Sequence, residues 1–163
     1  MTVTSYALAL GSNRRSRHGA PAETIAAAAA ALGVERLSTI RATEAIGPAG
    51  RAFANAAAIL PSPLDPPELL DELKALERAF GRRPGRRWGP RVLDLDIILW
   101  SGGSWAGPAL IIPHPEFRRR SFVLEPLAEI APDWRDPITA LAVRHLLARL
   151  QQGRPVDHGA TRT

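Results

Sequence analysis

The chain has 163 residues, 45% hydrophobic and 23% charged, which suits one compact domain and excludes two ordinary enzyme domains. It has no cysteine, so disulfides, thiolate zinc sites, iron-sulfur clusters and a cysteine nucleophile are excluded together, and the reducing cytoplasm is the expected location. No apolar run approaches the roughly 18 residues of a membrane span, Met1-Thr2-Val3-Thr4-Ser5 shows no secretory pattern, and the clustering of arginines at 82–91 and 118–120, more than the net charge of +5, points to an anionic partner.

Val3 to Leu10 is rich in β-formers and runs into the turn residues Gly11-Ser12-Asn13, which predicts a first strand and a loop. Pro21 to Leu32, with its alanine run, predicts a helix stopped by Gly33. Strands are expected around Leu37 to Thr43 and over Phe53 to Leu60, separated by the turn material Gly47-Pro48-Ala49-Gly50. Asp65 then reads as an N-cap, with Pro66 and Pro67 in the first turn and Glu68 three residues beyond the cap. Leu69, Leu73, Leu76 and Phe80 make one apolar helix face, and Gly81 ends it. The arginines that follow therefore fall on a loop.

Val92 to Trp100 predicts a strong strand, Ser101-Gly102-Gly103-Ser104 a break, and Leu110 to Ile112 a short extended piece. Ser121 to Ile130 reads as a helix despite Pro126, and Pro137 to Leu150 as the last one. Residues 151–163 form a polar tail expected to fray, and His18 and His158 fall in segments expected to be mobile. The element order predicts one α+β domain over residues 1–150. It is a ferredoxin-like α/β sandwich, with a mixed, mostly antiparallel sheet and helices packed on its faces.

The most informative segment is Leu93-Asp94-Leu95-Asp96-Ile97-Ile98-Leu99. Strand alternation puts Asp94 and Asp96 on one face and Leu93, Leu95, Ile97 and Leu99 on the other. The two acidic Cα atoms are then about 6.5 Å apart, close enough to share hard cations. Like charges this close repel unless a cation offsets them. The basic context supplies that logic: Arg82, Arg83, Arg86, Arg87 and Arg91 precede the acids, and His114, Arg118, Arg119 and Arg120 follow. A phosphate-rich ligand bridged to the acids by magnesium accounts for both signs of charge, with arginine forks on phosphate oxygens. A solvated strand face and a solubilising arginine loop are the bland alternatives. No Walker loop, kinase glycine loop, Gly-x-Ser-x-Gly or His-Glu-x-x-His occurs. His114, between two prolines, is either a phosphate contact or a packing residue.

These residues carry a resemblance. The runs Arg87-Trp88-Gly89-Pro90-Arg91-Val92-Leu93-Asp94-Leu95-Asp96-Ile97 and Ile112-Pro113-His114-Pro115-Glu116-Phe117-Arg118-Arg119-Arg120-Ser121-Phe122-Val123-Leu124 resemble signatures of the 6-hydroxymethyl-7,8-dihydropterin pyrophosphokinase family of folate biosynthesis. Ala9-Leu10-Gly11-Ser12-Asn13, Phe53-Ala54-Asn55-Ala56 and Pro126 to Pro132 extend the likeness to nearly all of the chain before residue 150. The resemblance implies transfer of the pyrophosphoryl group of ATP to the hydroxymethyl group of a dihydropterin, releasing AMP. It implies two magnesium ions held by Asp94 and Asp96, with Arg82 and Arg91 steadying the transferred group. Arg82, Trp88, Arg91, Ile97, His114 and Arg120 match its ATP contacts; Thr43, Ile46, Phe53, Asn55, Asp94 and Phe122 match its pterin contacts. The two phenylalanines would sandwich the ring. A monomer is implied, with neither nucleic acid nor membrane as partner. Departures lie in residues 47–52, which lack the Asp-Gln-Pro often found there, in Glu44 where proline is frequent, in the shortened arginine loop before Trp88, and in Ala109 and Ile111. An RNA-binding sheet is the alternative of another class, but such strands display aromatics where this one displays acids. A non-catalytic pterin or nucleotide binder is another alternative.

Overall fold

In the computed structural model, β1 (Thr4–Ser12) lies between β4 (Phe53–Ser62) and β5 (Asp94–Trp100), with β2 (Arg36–Leu37) and β3 (Arg41–Thr43) both on the far edge of β4. Residues 2–43, 52–81 and 92–156 are described. α1 (Pro21–Leu32) joins β1 to the β2 edge, and α2 (Pro66–Ala79) joins β4 to β5. This is the interleaved βαβ order of the expected ferredoxin-like fold. The sheet, expected to be mixed and mostly antiparallel, is antiparallel in every described pairing. A two-stranded ribbon, β6 (Trp105–Ala106) with β7 (Ile111–Ile112), follows β5, and then come α3 (Ser121–Ile130) and α4 (Val143–Gln151).

Alternation along β1 divides the core into two layers. Tyr6, Leu8 and Leu10 pack with Ile25 and Ala28 of α1 and Leu69 and Leu73 of α2. Ala7 faces the other way, into Val123, Leu124 and Leu127 of α3 and Val143 and Leu146 of α4. Helices thus cover both faces of the sheet. The helix starts follow local chemistry: the Asp65 carboxylate accepts the Glu68 N–H at 3.1 Å while the Glu68 side chain accepts the Asp65 N–H at 3.1 Å. Gly33, at φ 69°, closes α1 in the left-handed conformation that glycine adopts without steric cost. Among the described residues no helix is long and apolar enough to cross a membrane.

The structure departs from the sequence expectations in several places, each for a local reason. The single strand expected over 37–43 is two, because the Ser38 hydroxyl accepts the Ala57 N–H at 2.9 Å and residues 38–40 leave the ladder. The last helix starts at Val143 instead of Pro137. Residues 136–141 are held in a closed turn, with Asp136 N–H donating to the Leu141 carbonyl and Ala140 N–H to the Asp136 carbonyl. His18 is stacked on Phe80 with ring centroids 4.4 Å apart, so its segment is packed where mobility was expected. Val156, in the segment expected to fray, packs against the α3–α4 layer; residues 157–163 lie outside the described residues, as does the turn at 47–50.

Leu73 is fully buried beneath the sheet while Asp71 in the same helix is exposed. Leu73→Ala is expected to cost about 2–5 kcal/mol in urea unfolding, and Asp71→Ala to stay within about 0.5 kcal/mol. Equal effects would contradict this packing.

Candidate active site

Pairing with β1 sets the floor of the site. Asp94 stands opposite Gly11 and Asp96 opposite Ala9, so both acids share the β1 face that also carries Ala7. Glycine and alanine leave the space above that floor open, and a Cβ added at Gly11 would lie 3.4 Å from the Asn55 Oδ1. The register shifts between Ala7 and Leu8, where Ile97 faces Leu8 and Leu99 faces Ala7, leaving Ile98 as the extra residue of a bulge. The expected alternation therefore holds for Leu93, Leu95 and Ile97, which join the α1–α2 layer. It fails for Leu99, which the bulge turns into the α3–α4 layer. Upstream of the bulge this face holds acids; downstream it holds apolar core.

Two cavities meet over this floor. One, of about 540 Å³, lies between α2, β5 and the ribbon and is lined by Lys74, Glu77, Ile97, residues 107–111 and His114. The other, of about 460 Å³, is lined by Ala9, Gly11, Asn55, Phe122 and Val123. Asp94, Asp96 and Arg120 line both. A smaller recess of about 140 Å³ continues past Asp94 to Asn13, Asn55 and Phe53. Phe53 and Phe122 are 48% and 50% exposed, so their rings are open to a ligand entering the recess or the second cavity. Asn55 sits on β4 opposite both Gly11 and Arg41, and Thr43 pairs with Phe53 at the edge.

His114 is held to β5 by its own N–H, which donates to the Ile98 carbonyl at 3.0 Å. Its Nδ1 accepts the Glu116 N–H at 3.1 Å, which leaves Nε2 as the donor of the neutral ring. Burial, reinforced by the Arg120 guanidinium, pushes the imidazole below its ordinary value of 6.5, and Glu116 and Asp94 only partly oppose this. Arg120 itself lies over the Phe122 ring, its Cζ 5.8 Å from the centroid.

The structure thus brings together Asp94, Asp96, Ile97, His114, Arg120, Asn55, Phe53, Phe122 and, at the edge strand, Thr43. Ile46, Arg82, Trp88 and Arg91 fall outside the described residues. Arg118, grouped by the sequence with phosphate-facing arginines, is instead buried against Asp136 and lines neither cavity. Two lining residues escaped the sequence reading. The buried Glu77 carboxylate accepts the Leu95 N–H at 2.7 Å, and Lys74, the chain's one lysine, lies a turn before it. The available signal was an acid at the i+4 position from Leu73 on an otherwise apolar helix face.

Among the described residues no group of three or more His, Asp or Glu forms a metal cage. Two carboxylates on one floor are a partial donor set that leaves most positions of an oxygen-coordinated cation to water and ligand. That matches the way magnesium binds with phosphate-bearing substrates.

The chain spans 62% of one curated relative, the 2-amino-4-hydroxy-6-hydroxymethyldihydropteridine pyrophosphokinase of Synechocystis sp., with 43% identity over 121 residues, 74% of this chain. A protein of the same name from Pseudomonas aeruginosa is 42% identical over 139 residues, 80% of this chain and 82% of its own length. Among solved structures, the Plasmodium falciparum HPPK-DHPS with pteroate superposes over 93% of this chain and 44% of its own, with a TM-score of 0.67 and 14% identity, a likeness of fold. A family model, that of 7,8-dihydro-6-hydroxymethylpterin-pyrophosphokinase, matches residues 7–132. With the antiparallel sheet, the paired acids and the two cavities that meet on them, the chain belongs to the 7,8-dihydro-6-hydroxymethylpterin-pyrophosphokinase family.

Proposed function

We propose that this protein transfers the pyrophosphoryl group of ATP to 6-hydroxymethyl-7,8-dihydropterin, giving the pterin diphosphate and AMP in folate biosynthesis. The observation that carries this reading is the sharing of Asp94, Asp96 and Arg120 by two cavities of different character. A transferase for two large substrates needs such a meeting point, because holding both reactants in line removes much of the entropic barrier.

The larger cavity takes the nucleotide in this reading. Ile97 supports it along the β5 edge, and His114, neutral at pH 7, offers its Nε2–H to a phosphate oxygen. Arg120 reaches the same phosphates from the start of α3. The second cavity and its recess take the pterin: Phe53 and Phe122 stack on the ring, Asn55 hydrogen-bonds its edge, and Thr43 contributes from the neighbouring strand. Ile46 and Trp88 are assigned by resemblance to the pterin and ATP sides respectively.

The hydroxymethyl oxygen attacks the β-phosphorus, losing its proton as the new O–P bond forms, and the bond from that phosphorus to the α,β-bridging oxygen breaks, releasing AMP. Asp94 and Asp96 would hold two magnesium ions, which supply charge neutralisation to the β- and γ-phosphate oxygens when bound. Arg82 and Arg91 steady the transferred group, and Asp94 also borders the pterin, placing the nucleophile beside the phosphates. No single side chain is assigned as general base, since positioning and electrostatics carry most of the barrier reduction in phosphoryl transfer. The reading places the protein in the cytoplasm as a monomer, with neither nucleic acid nor membrane as partner.

Three measurements test this. Magnesium-ATP should yield AMP only when the dihydropterin is present, and the double variant Asp94→Ala/Asp96→Ala should yield none while keeping its fold; ATP turnover indifferent to pterin would defeat the assignment. Asp96→Ala alone should lower kcat by at least about 100-fold, the scale of losing one preorganised electrostatic contact, and near-normal turnover by a folded variant would refute the metal role. Phe122→Ala should weaken pterin binding about tenfold, equivalent to about 1.4 kcal/mol, while leaving ATP binding within about twofold. Equal weakening of both ligands in calorimetric titrations would count against the sandwich.

A further inference from the structure

A deeply buried ion pair, Arg118 with Asp136, lies outside both cavities. Arg118 is 1% exposed and Asp136 is fully buried. The guanidinium grips the carboxylate with two bonds, Nε to Oδ2 at 2.5 Å and Nη2 to Oδ1 at 2.8 Å. The carboxylate is further saturated by the Ile138 N–H at 3.0 Å and the Thr139 hydroxyl at 2.7 Å, and the guanidinium lies 4.7 Å from the centroid of the Phe117 ring. Two buried charges are a costly way to stabilise a core, since an apolar pair of similar volume often serves as well. Their distinguishing property is geometric: a two-bond fork fixes both distance and orientation.

The segment that Arg118 fixes is the one that carries site residues. His114 precedes it by four residues, Arg120 follows by two and Phe122 by four. Between β7 and α3 this stretch belongs to no sheet. Among the described residues its main chain is held by a bond to β5, from His114 N–H to the Ile98 carbonyl, by the Glu116 N–H on the His114 Nδ1, and by short-range turns of 3.1–3.4 Å around residues 117–119. Within residues 114–120, Phe117 and Arg118 are the buried residues. Arg120 then reaches both cavities and packs over Phe122, so a small rotation of the 117–119 turn would move groups on the nucleotide side and the pterin side together.

We propose that Arg118 is a positioning residue for the transfer reaction, and that its buried pair with Asp136 sets the pose of the 114–122 segment from the closed turn at 136–141. The inference rests on the pyrophosphokinase reading for its kinetic consequence and on geometry alone for its structural one. Arg118 touches no substrate; it acts through Arg120 and Phe122. The described residues after the first turn of α3 are thereby coupled to the site, although they line neither of these two cavities.

The test removes both charges at once, so that no buried carboxylate is orphaned. In Arg118→Met/Asp136→Asn, methionine fills the space of the arginine stem, and the asparagine Oδ1 still accepts from Ile138 while its amide donates to Thr139. Thermal unfolding, backbone amide NMR of residues 114–122, and kcat and KM for each substrate are compared with wild type. We expect a folded variant whose melting temperature stays within a few degrees, with amide signals shifted or broadened at His114, Arg120 and Phe122 as well as beside the substituted positions 118 and 136. Its kcat should fall about 10- to 100-fold, and its KM for the pterin should rise more than its KM for ATP. Arg118→Lys, which keeps the charge and loses the fork, should fall between the two in kcat, and it decides the matter if the double variant does not fold. Unchanged 114–122 signals and wild-type kinetics in a folded variant would overturn the proposal, as would a loss of activity that merely tracks loss of folded protein. Should wild type itself make no pterin-dependent AMP, the functional reading fails, and the amide signals alone decide whether Arg118 positions the segment.

Discussion

One register governs the molecule: the pairing of β5 with β1 that sets Asp94 against Gly11 and Asp96 against Ala9. Carboxylates on a sheet face are tolerable only where the face is not roofed by apolar side chains, and the small residues opposite them keep the roof away. Farther along the same face, Ala7, Ala57, Ile59, Ile98 and Leu99 are roofed by α3 and α4 and form core. The bulge at Ile98 is the boundary between the two uses. One sheet face thus supplies both a packed layer and the floor of a site, and the N-terminal end of α3 stands at the border, presenting Arg120 and Phe122 to the open half.

The consequences reach outward from that floor. Because β5 pairs only with β1 among the described strands, its outer edge is available for other work. Glu77 takes the Leu95 N–H, and His114 binds the Ile98 carbonyl. Both edge contacts come from residues that line the larger cavity. The edge is blunted in a way that builds a binding site, which is how an exposed strand avoids pairing with another chain. On the opposite side of the acids, β4 brings Asn55 and Phe53 to the second cavity and its recess.

Much of this was legible in the sequence because the signals were local. A capping box at Asp65 and Glu68, proline at the start and glycine at the end of α1, and Asp-x-Asp in a β-branched run each act within a few residues, so composition at that range suffices. The resemblance placed Phe53, Asn55, His114, Arg120 and Phe122, which the fold does bring around the acids. What escaped depends on tertiary partners. The break at Ser38 involves the Ala57 amide and the bulge at Ile98 the β1 register, while the turn at 136–141 closes on its own main-chain bonds around a carboxylate that Arg118 also holds. Glu77 finds its partner only across the fold, in the Leu95 N–H of β5. Three consecutive arginines look alike in sequence, whereas a 3-10 turn at 117–119 sends Arg118 inward.

The central claim is that two substrates meet at the Asp94 and Asp96 carboxylates. It is tested most directly by placing Mn²⁺ there and observing the pterin. With an ATP analogue whose α,β-bridging oxygen is replaced by methylene, transfer is blocked and a complex of both ligands can be held. The account predicts strong paramagnetic relaxation of the hydroxymethyl protons of the bound dihydropterin, lost in Asp94→Ala/Asp96→Ala at ligand concentrations that still saturate it. Relaxation that is absent in wild type with both ligands bound, or equally strong in the variant, would contradict a shared centre at these acids.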